Sequence, residues 1–363
     1  MFETIFLFGQ SNRVPNYSEN SSEPNKGDSQ KKSPENQTTE INTKINERKL
    51  DDEIIRVETD LVVIPTSISE RNGKRVANIS KEEFKIFENG IEQEIAYFSN
   101  EEQPFTVALV LDMSYSSVFK LKDIQDAALV FISQLRPDDK VLVISFDEKV
   151  QVLCEPTNNR KILRLAIEGT KIASGTSFFS ALDLVLNEKL NEIAGRKAIV
   201  VLSDGVDTTS QNSTALRILN DVSETDVLVY PVQYDTYDDV QKSRKESAQI
   251  FYDENDRPRA IEKPRTRGER EDDYKNAGEF LKEVSNQSGG RVYRVSSSSK
   301  LTQAFANIAD ELRKIYSLGY YPNVERKAGA KYTVKVRVYR PNLIVHAKNN
   351  YLWKQNRKSL PKN

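Results

Sequence analysis

The sequence predicts an α/β protein: a doubly wound, mostly parallel six-stranded sheet of Rossmann-like form, with a small antiparallel β-sandwich built from the two segments flanking it. Two observations carry this expectation. From Phe105 onward, short apolar runs alternate with amphipathic stretches at helical spacing, the pattern of parallel strands covered by helices on both faces. On either side of that region the runs alternate apolar and polar residues with period two, the pattern of antiparallel strands with one buried face.

Taken in order, residues 1–53 read as a disordered tether. From Gln10 to about Asp52 the chain is mostly Asn, Ser, Glu, Lys, Thr and Pro, too poor in apolar residues to offset the entropy of ordering. The sequons Asn16-Tyr17-Ser18 and Asn36-Gln37-Thr38 fall there, as an Asn/Ser-rich stretch produces by chance. Met1 to Gly9 holds a short apolar run with Glu3 where an export signal carries basic residues; it reads either as a frayed terminus or as the remnant of such a signal.

Residues 54–101 are expected to supply the first part of the sandwich. IIRVETDLVVIPTSISE is rich in β-branched residues and ends near Asn72-Gly73, which predicts a hairpin. Ser80 to Glu83 fits a capping box, a second hairpin turn is expected at Asn89-Gly90, and IEQEIAYFS returns as one strand.

Residues 102–315 form the α/β region. VALVLD is its first buried strand, followed by a helix with Leu121, Ile124, Ala128, Phe131 and Leu135 on one face, stopped at Pro137. KVLVISFD and VQVLCEPT make a strand pair turning at Asp147-Glu148-Lys149. Helices follow at Asn159 to Glu168 and Phe178 to Leu190, then the strand KAIVVLSDG, a helix from Ala215 to Glu224 and the strand DVLVYPVQYD. A helix near Ala277 to Ser288, the strand RVYRV and a helix carrying Leu301, Phe305, Ile308 and Leu312 complete the pattern. Residues 236–274 interrupt it as a charged insertion longer than a strand-to-helix connection requires, read as a solvated loop or as an extension of the binding edge. Residues 316–354, with YSLGYYP and YTVKVRVYR, return to period two and are expected to pair with the first flank, leaving 355–363 as a tail.

Composition narrows the chemistry. Lys plus Arg number 53 against 54 for Asp plus Glu, so no net field draws in nucleic acid or anionic lipid. Cys154 is the only cysteine, which excludes an internal disulfide and thiolate metal sites; it reads as a small buried residue. His346 is the sole histidine and lies in a C-terminal strand, which excludes Ser/His/Asp catalysis in the α/β region. No stretch approaches the length of a transmembrane helix. Tyr316, Tyr320, Tyr321, Tyr332 and Tyr339 are read as alternate sandwich positions rather than a sugar-binding stripe.

Three segments are positioned to do chemistry. Asp112-Met113-Ser114-Tyr115-Ser116 ends the first buried strand, Ser174-Gly175-Thr176-Ser177 opens a helix, and Leu202-Ser203-Asp204-Gly205 ends the most apolar strand. An Asp at a strand end is by itself most often a turn or cap residue. In an open α/β sheet, however, all three segments reach the edge formed by the C-terminal ends of the strands, where ligands bind. Together Asp112, Ser114, Ser116, Thr176 and Asp204 offer two carboxylates and three hydroxyls, hard oxygen donors suited to Mg²⁺ or Mn²⁺ and ill suited to zinc or copper. A cation so held is left short of negative charge and takes a carboxylate from outside. Asp207, three positions after Asp204, reads as a turn residue with the site's rim as the alternative.

With these motifs in order the sequence resembles the von Willebrand factor type A family, whose metal-ion-dependent adhesion site has the form Asp-x-Ser-x-Ser, then Thr, then Asp. The resemblance implies that Ser114 and Ser116 touch the ion, that Thr176 does so directly or through water, and that Asp112 and Asp204 act largely through water. The flanks resemble a bacterial subgroup, the acidobacterial-type VWFA-related proteins, which implies an exported or surface protein; the chain departs from the common pattern at Tyr115 and Ser174. The expected function is a protein-binding or adhesion module whose partner offers an Asp or Glu side chain. Two alternatives stand beside it: a structural scaffold in an envelope assembly, and a metal-dependent hydrolase, which would need a general base that this residue set lacks.

Overall fold

The computed structural model describes residues 61–353 apart from 102, 115–120, 253, 256, 262 and 325. The tether, its sequons, Tyr115 and Ser116 lie outside the described residues, as does the tail.

The first flank holds β1 (Val62–Glu70), a single 3-10 turn at Lys81–Glu83, β2 (Phe84–Glu88), β3 (Ile91–Gln93) and β4 (Tyr97–Ser99). The α/β region then runs β5 (Phe105–Asp112), α1 (Leu121–Gln134), β6 (Lys140–Phe146), β7 (Val150–Thr157), α2 (Arg160–Glu168), α3 (Phe178–Asp183), β8 (Arg196–Ser203), α4 (Ala215–Glu224) and β9 (Leu228–Gln233). After β9 come α5 (Tyr237–Glu246), β10 (Gln249–Tyr252), β11 (Pro258–Ile261), α6 (Glu271–Ser288), β12 (Tyr293–Arg294) and α7 (Ser298–Arg313). The second flank supplies β13 (Ile315–Tyr320), β14 (Lys331–Val338), β15 (Leu343–Ala347) and β16 (Asn350–Leu352).

The central sheet has the order β12-β9-β8-β5-β6-β7, parallel except for the edge strand β7. Side chains on β5 alternate between two cores: Val107, Leu109 and Leu111 pack with α1 and α7, while Ala108 and Val110 pack with α3, α4 and α6. Burial on both faces explains why these strands read as unbroken apolar runs.

The two flanks form a sandwich of two four-stranded antiparallel sheets, β15-β1-β13-β4 and β16-β14-β2-β3, whose shared core includes Ile64, Phe84, Ile86, Leu318, Tyr320 and Val334. Tyr316, Tyr320 and Tyr332 are buried there, whereas Tyr321 and Tyr339 are exposed. The Ser80–Glu83 capping box is present, and at Asn89-Gly90 both residues take the positive φ of a two-residue hairpin joining β2 to β3.

Several local expectations are corrected. The turn at Asn72-Gly73 does not create a strand pair; β1 is already paired on both edges, by β13 and β15, and only an isolated bridge from Ser69 to Arg75 follows. IEQEIAYFS is two strands in different sheets, because Gln93 belongs to the β2 register while Ala96 donates its N–H to Gly319 across the sandwich. The helix of residues 178–190 becomes a π-helix over Leu184–Lys189, which keeps Val185, Leu186 and Leu190 all in the core. RVYRV is reduced to the two residues of β12. Residues 236–274, which invited a reading as a solvated loop, contain α5, the β10–β11 hairpin and the first turn of α6.

Candidate functional site

Asp112 ends β5 and Asp204 follows β8, its parallel neighbour, at the C-terminal edge of the sheet where the connections diverge to either side. Both carboxylates are buried, 0% and 4% exposed, and each is held by two donors. Asp112 accepts the Ser114 N–H at 3.0 Å and the Ser203 hydroxyl at 2.7 Å. Asp204 accepts the Val206 N–H at 2.9 Å and the Thr236 hydroxyl at 2.6 Å. Ser203 also accepts the Gly205 N–H at 2.9 Å, so one hydroxyl ties the two strand ends together.

Burial lifts the Asp112 carboxyl above the usual carboxylate range, against the bonds from Ser203 and Ser114 and with the Asp147 charge adding to the rise. Burial also lifts Asp204, and the charge on Asp112 raises it further. The two acids therefore feel one another. Among the described residues neither forms an ion pair with a Lys or Arg. Two buried acids with hydrogen bonds but no counter-charge form a charge deficit that a divalent cation fits. No group of three or more His, Cys, Asp or Glu suited to a metal exists among the described residues, so any ion held here depends on hydroxyl oxygens.

The segment carrying Thr176 is fixed against the β6–β7 turn. Glu148 donates its N–H to the Ser174 carbonyl, Ser177 donates its N–H to Asp147, and the Ser177 hydroxyl donates to the Glu148 carbonyl at 2.7 Å. Gly175 is required at this crossing: its φ is +81° and an added Cβ would stand 2.9 Å from that of Glu148. Thr176 is buried, gives its N–H to the Thr208 hydroxyl at 3.0 Å and accepts the Thr208 N–H at 2.9 Å. The Thr176 segment is thus clamped to the loop that leaves Asp204. Ser114 is buried beside Ala173, to which it is bridged.

Of the five expected ligands, Asp112 and Asp204 are electrostatically linked, Ser114 adjoins Asp112, and Thr176 is tied to the Asp204 loop; Ser116 lies outside the described residues. Sequence reasoning missed Ser203, Thr236 and Thr208. Ser203 precedes Asp204 directly, and a hydroxyl beside a strand-end acid was the available signal; Thr236 and Thr208 reach the site only through tertiary folding. Asp207 is buried and accepts the Phe179 N–H at the start of α3 at 3.2 Å, and Arg267 pairs with its other oxygen at 2.9 Å. It joins the 236–274 segment to the site's rim. His346 and Cys154 are remote in role: His346 lies on β15 and Cys154 is buried on β7.

Two sequence relatives and one solved structure are similar to parts of the chain. It is 29% identical over 160 residues to the uncharacterized protein sll0103 of Synechocystis sp., covering 42% of this chain and 38% of that protein. It is 26% identical over 230 residues to a UPF0353 protein of Mycolicibacterium gilvum, covering 57% of this chain and 60% of that protein, so it spans less than two thirds of either relative. A von Willebrand factor type A structure from Catenulispora acidiphila is similar at a TM-score of 0.44 and 10% identity, over 84% of this chain and 76% of its own. Residues 107–206, from β5 through the loop after Asp204, match the family model of the von Willebrand factor type A domain.

Proposed function

We propose that the chain is a metal-ion-dependent protein-binding module in which Asp112, Ser114, Ser116, Thr176 and Asp204 hold one Mg²⁺ or Mn²⁺ and the partner contributes an Asp or Glu carboxylate. The observation that carries this reading is the pair of buried acids on adjacent strand ends without a described cationic partner. When bound, the ion supplies a positive centre with positions left for an anionic oxygen from outside. The chain's own residues pre-set the rest. Ser203 and Thr236 hold the two carboxylates in fixed orientation, and the Thr176–Thr208 clamp keeps a hydroxyl-bearing segment beside them, so little ordering remains to be done on binding.

A non-catalytic role accompanies the proposal, since the five-residue set offers no His, Lys or carboxylate beyond the two that would hold the ion to serve as a general base. An exported or surface location accompanies the proposal on the strength of the flanking-segment resemblance, and the near-zero net charge speaks against nucleic acid as the partner. Among the described residues no helix is long and apolar enough to cross a membrane. Isothermal titration with Mg²⁺ and Mn²⁺ tests the reading: wild-type protein is expected to bind either ion, and Asp112→Ala to bind at least tenfold more weakly. Equal affinities would overturn it.

A further inference from the structure

Beside the metal-site edge a groove of about 510 Å³ runs between the ends of β9 and β12 and the first turns of α6. Its lining includes Gly278, the cations Lys275, Lys282 and Arg294, and the acids Asp235 and Glu279. It adjoins the site through the buried hydroxyl of Thr236. Asp235 precedes Thr236, whose hydroxyl holds Asp204, and that hydroxyl also lies 3.2 Å from the Tyr274 phenol. The volume falls in the range of built ligand sites, and its place at the C-terminal strand edge is where such folds bind.

Gly278 is the informative residue. It sits inside the 18-residue helix α6, where glycine costs roughly 1 kcal/mol relative to alanine. No left-handed backbone angle or backbone collision requires it: a Cβ there would meet only the flexible amide end of Gln233, at 3.3 Å. What the missing side chain does provide is an open groove floor. Lys282, one turn further along α6, and Arg294 on β12 line the same groove, and among the described residues neither is paired with a carboxylate.

We infer that this groove receives an extended stretch of the same partner polypeptide that offers its carboxylate to the ion, with a second acidic side chain of that stretch meeting Lys282 and Arg294. This rests on the proposed metal-dependent reading and adds to it the partner's chemistry: an acidic segment rather than a lone Asp or Glu. Lys275, Lys282 and Arg294 outnumber Asp235 and Glu279 in the lining, and this excess of one positive charge favours an anionic occupant, an effect that weakens with salt.

Fluorescence polarisation with a labelled octapeptide of alternating Glu and Gly, and with its Gln-for-Glu counterpart, tests the inference on the full chain in Mg²⁺ and in EDTA. Wild type is expected to bind the acidic peptide in Mg²⁺ and to prefer it over the Gln peptide. Gly278→Leu, which fills the floor, is expected to weaken that binding at least tenfold, and Lys282→Glu severalfold. Gly278→Ala stays within twofold of wild type, and Mg²⁺ affinity by titration is unchanged in all three. Should Gly278→Leu fail to fold, Lys282→Glu, at an exposed site, carries the test alone. Wild-type affinity in both variants, or no binding of the acidic peptide by Mg²⁺-loaded wild type, overturns the groove assignment while leaving the metal reading intact. Absence of Mg²⁺ binding by wild type overturns the metal reading instead.

Discussion

The junction between sandwich and α/β region rests on one buried acid, and its removal should be costly. Glu311, near the end of α7, is 0% exposed and accepts the Ser67 hydroxyl from β1 and the Tyr293 hydroxyl from β12, both at 2.8 Å. It also pairs with Arg75, whose side chain is 4% exposed, and with Arg291 at 3.2 Å. Burial, and then the charge of Arg291, push the Arg75 guanidinium down to about 10, so at neutral pH it stays charged and relies on Glu311. Glu311→Ala leaves two guanidinium groups in contact range with no carboxylate between them, a change that typically costs about 3–5 kcal/mol. With a urea m-value of about 2 kcal/mol/M, the unfolding midpoint should fall by roughly 1.5–2.5 M. The pair Arg75→Met with Glu311→Leu removes the demand along with the supply and is expected to recover most of that loss. Equilibrium urea unfolding followed by tryptophan fluorescence reads both, through the single Trp353 near the sandwich core. A loss below about 1 kcal/mol for Glu311→Ala, or a double variant as weak as the single, would refute the account of this junction.

Three shorter predictions accompany it. Ser203→Ala deletes the donor to Asp112 and the acceptor of Gly205, and is expected to lower Mg²⁺ affinity about tenfold and stability by about 1–3 kcal/mol; unchanged titration and melting curves would remove Ser203 from the site. His346 is pushed down to about 4, by burial and then by the charges of Arg75 and Arg291. The unfolded chain therefore takes up this proton first, so stability is full above pH 6.5 and falls by at most about 3 kcal/mol as pH drops toward 4. Melting temperatures of wild type and His346→Asn should diverge in that window and run parallel above it. Lys348, buried and donating to the carbonyls of Ser223 and Thr225 at 2.7 and 2.6 Å, closes the C-terminal end of α4; Lys348→Met is expected to cost about 1–3 kcal/mol in urea unfolding.

Much of this architecture was legible because it rests on local periodicity. The β5 and β8 runs are apolar throughout since both faces are covered, and the motifs at Asp112, Thr176 and Asp204 stand where such strands end. What escaped was decided by distant parts of the chain. The break in IEQEIAYFS follows from Ala96 meeting Gly319, more than two hundred positions away, and nothing local to Glu94 announces it. β15 and β16 are short, and β15 exists because β1 has a second free edge to fill. Ser203 and Thr236 gain their roles from acids brought alongside by folding, and a lone hydroxyl carries no such mark in sequence. The charged segment after Asp235 hid its structure because α5 buries none of its residues, so no apolar stripe advertised a helix.

The β1–β13 register has a bearing on how the molecule assembles. Val62 pairs with Tyr320, so zipping these strands in an otherwise unfolded chain means closing a loop of about 250 residues, an entropic cost on the order of 5 kcal/mol. Once α7 has docked on β5's neighbours, β13 begins just two residues after it, and that cost has already been met by the enclosed sheet. The β1–β13 pairing is therefore expected to close after the sheet it encloses. Pulsed hydrogen exchange during refolding should find the amides of β5 and β8 protected before those of β1 and β13.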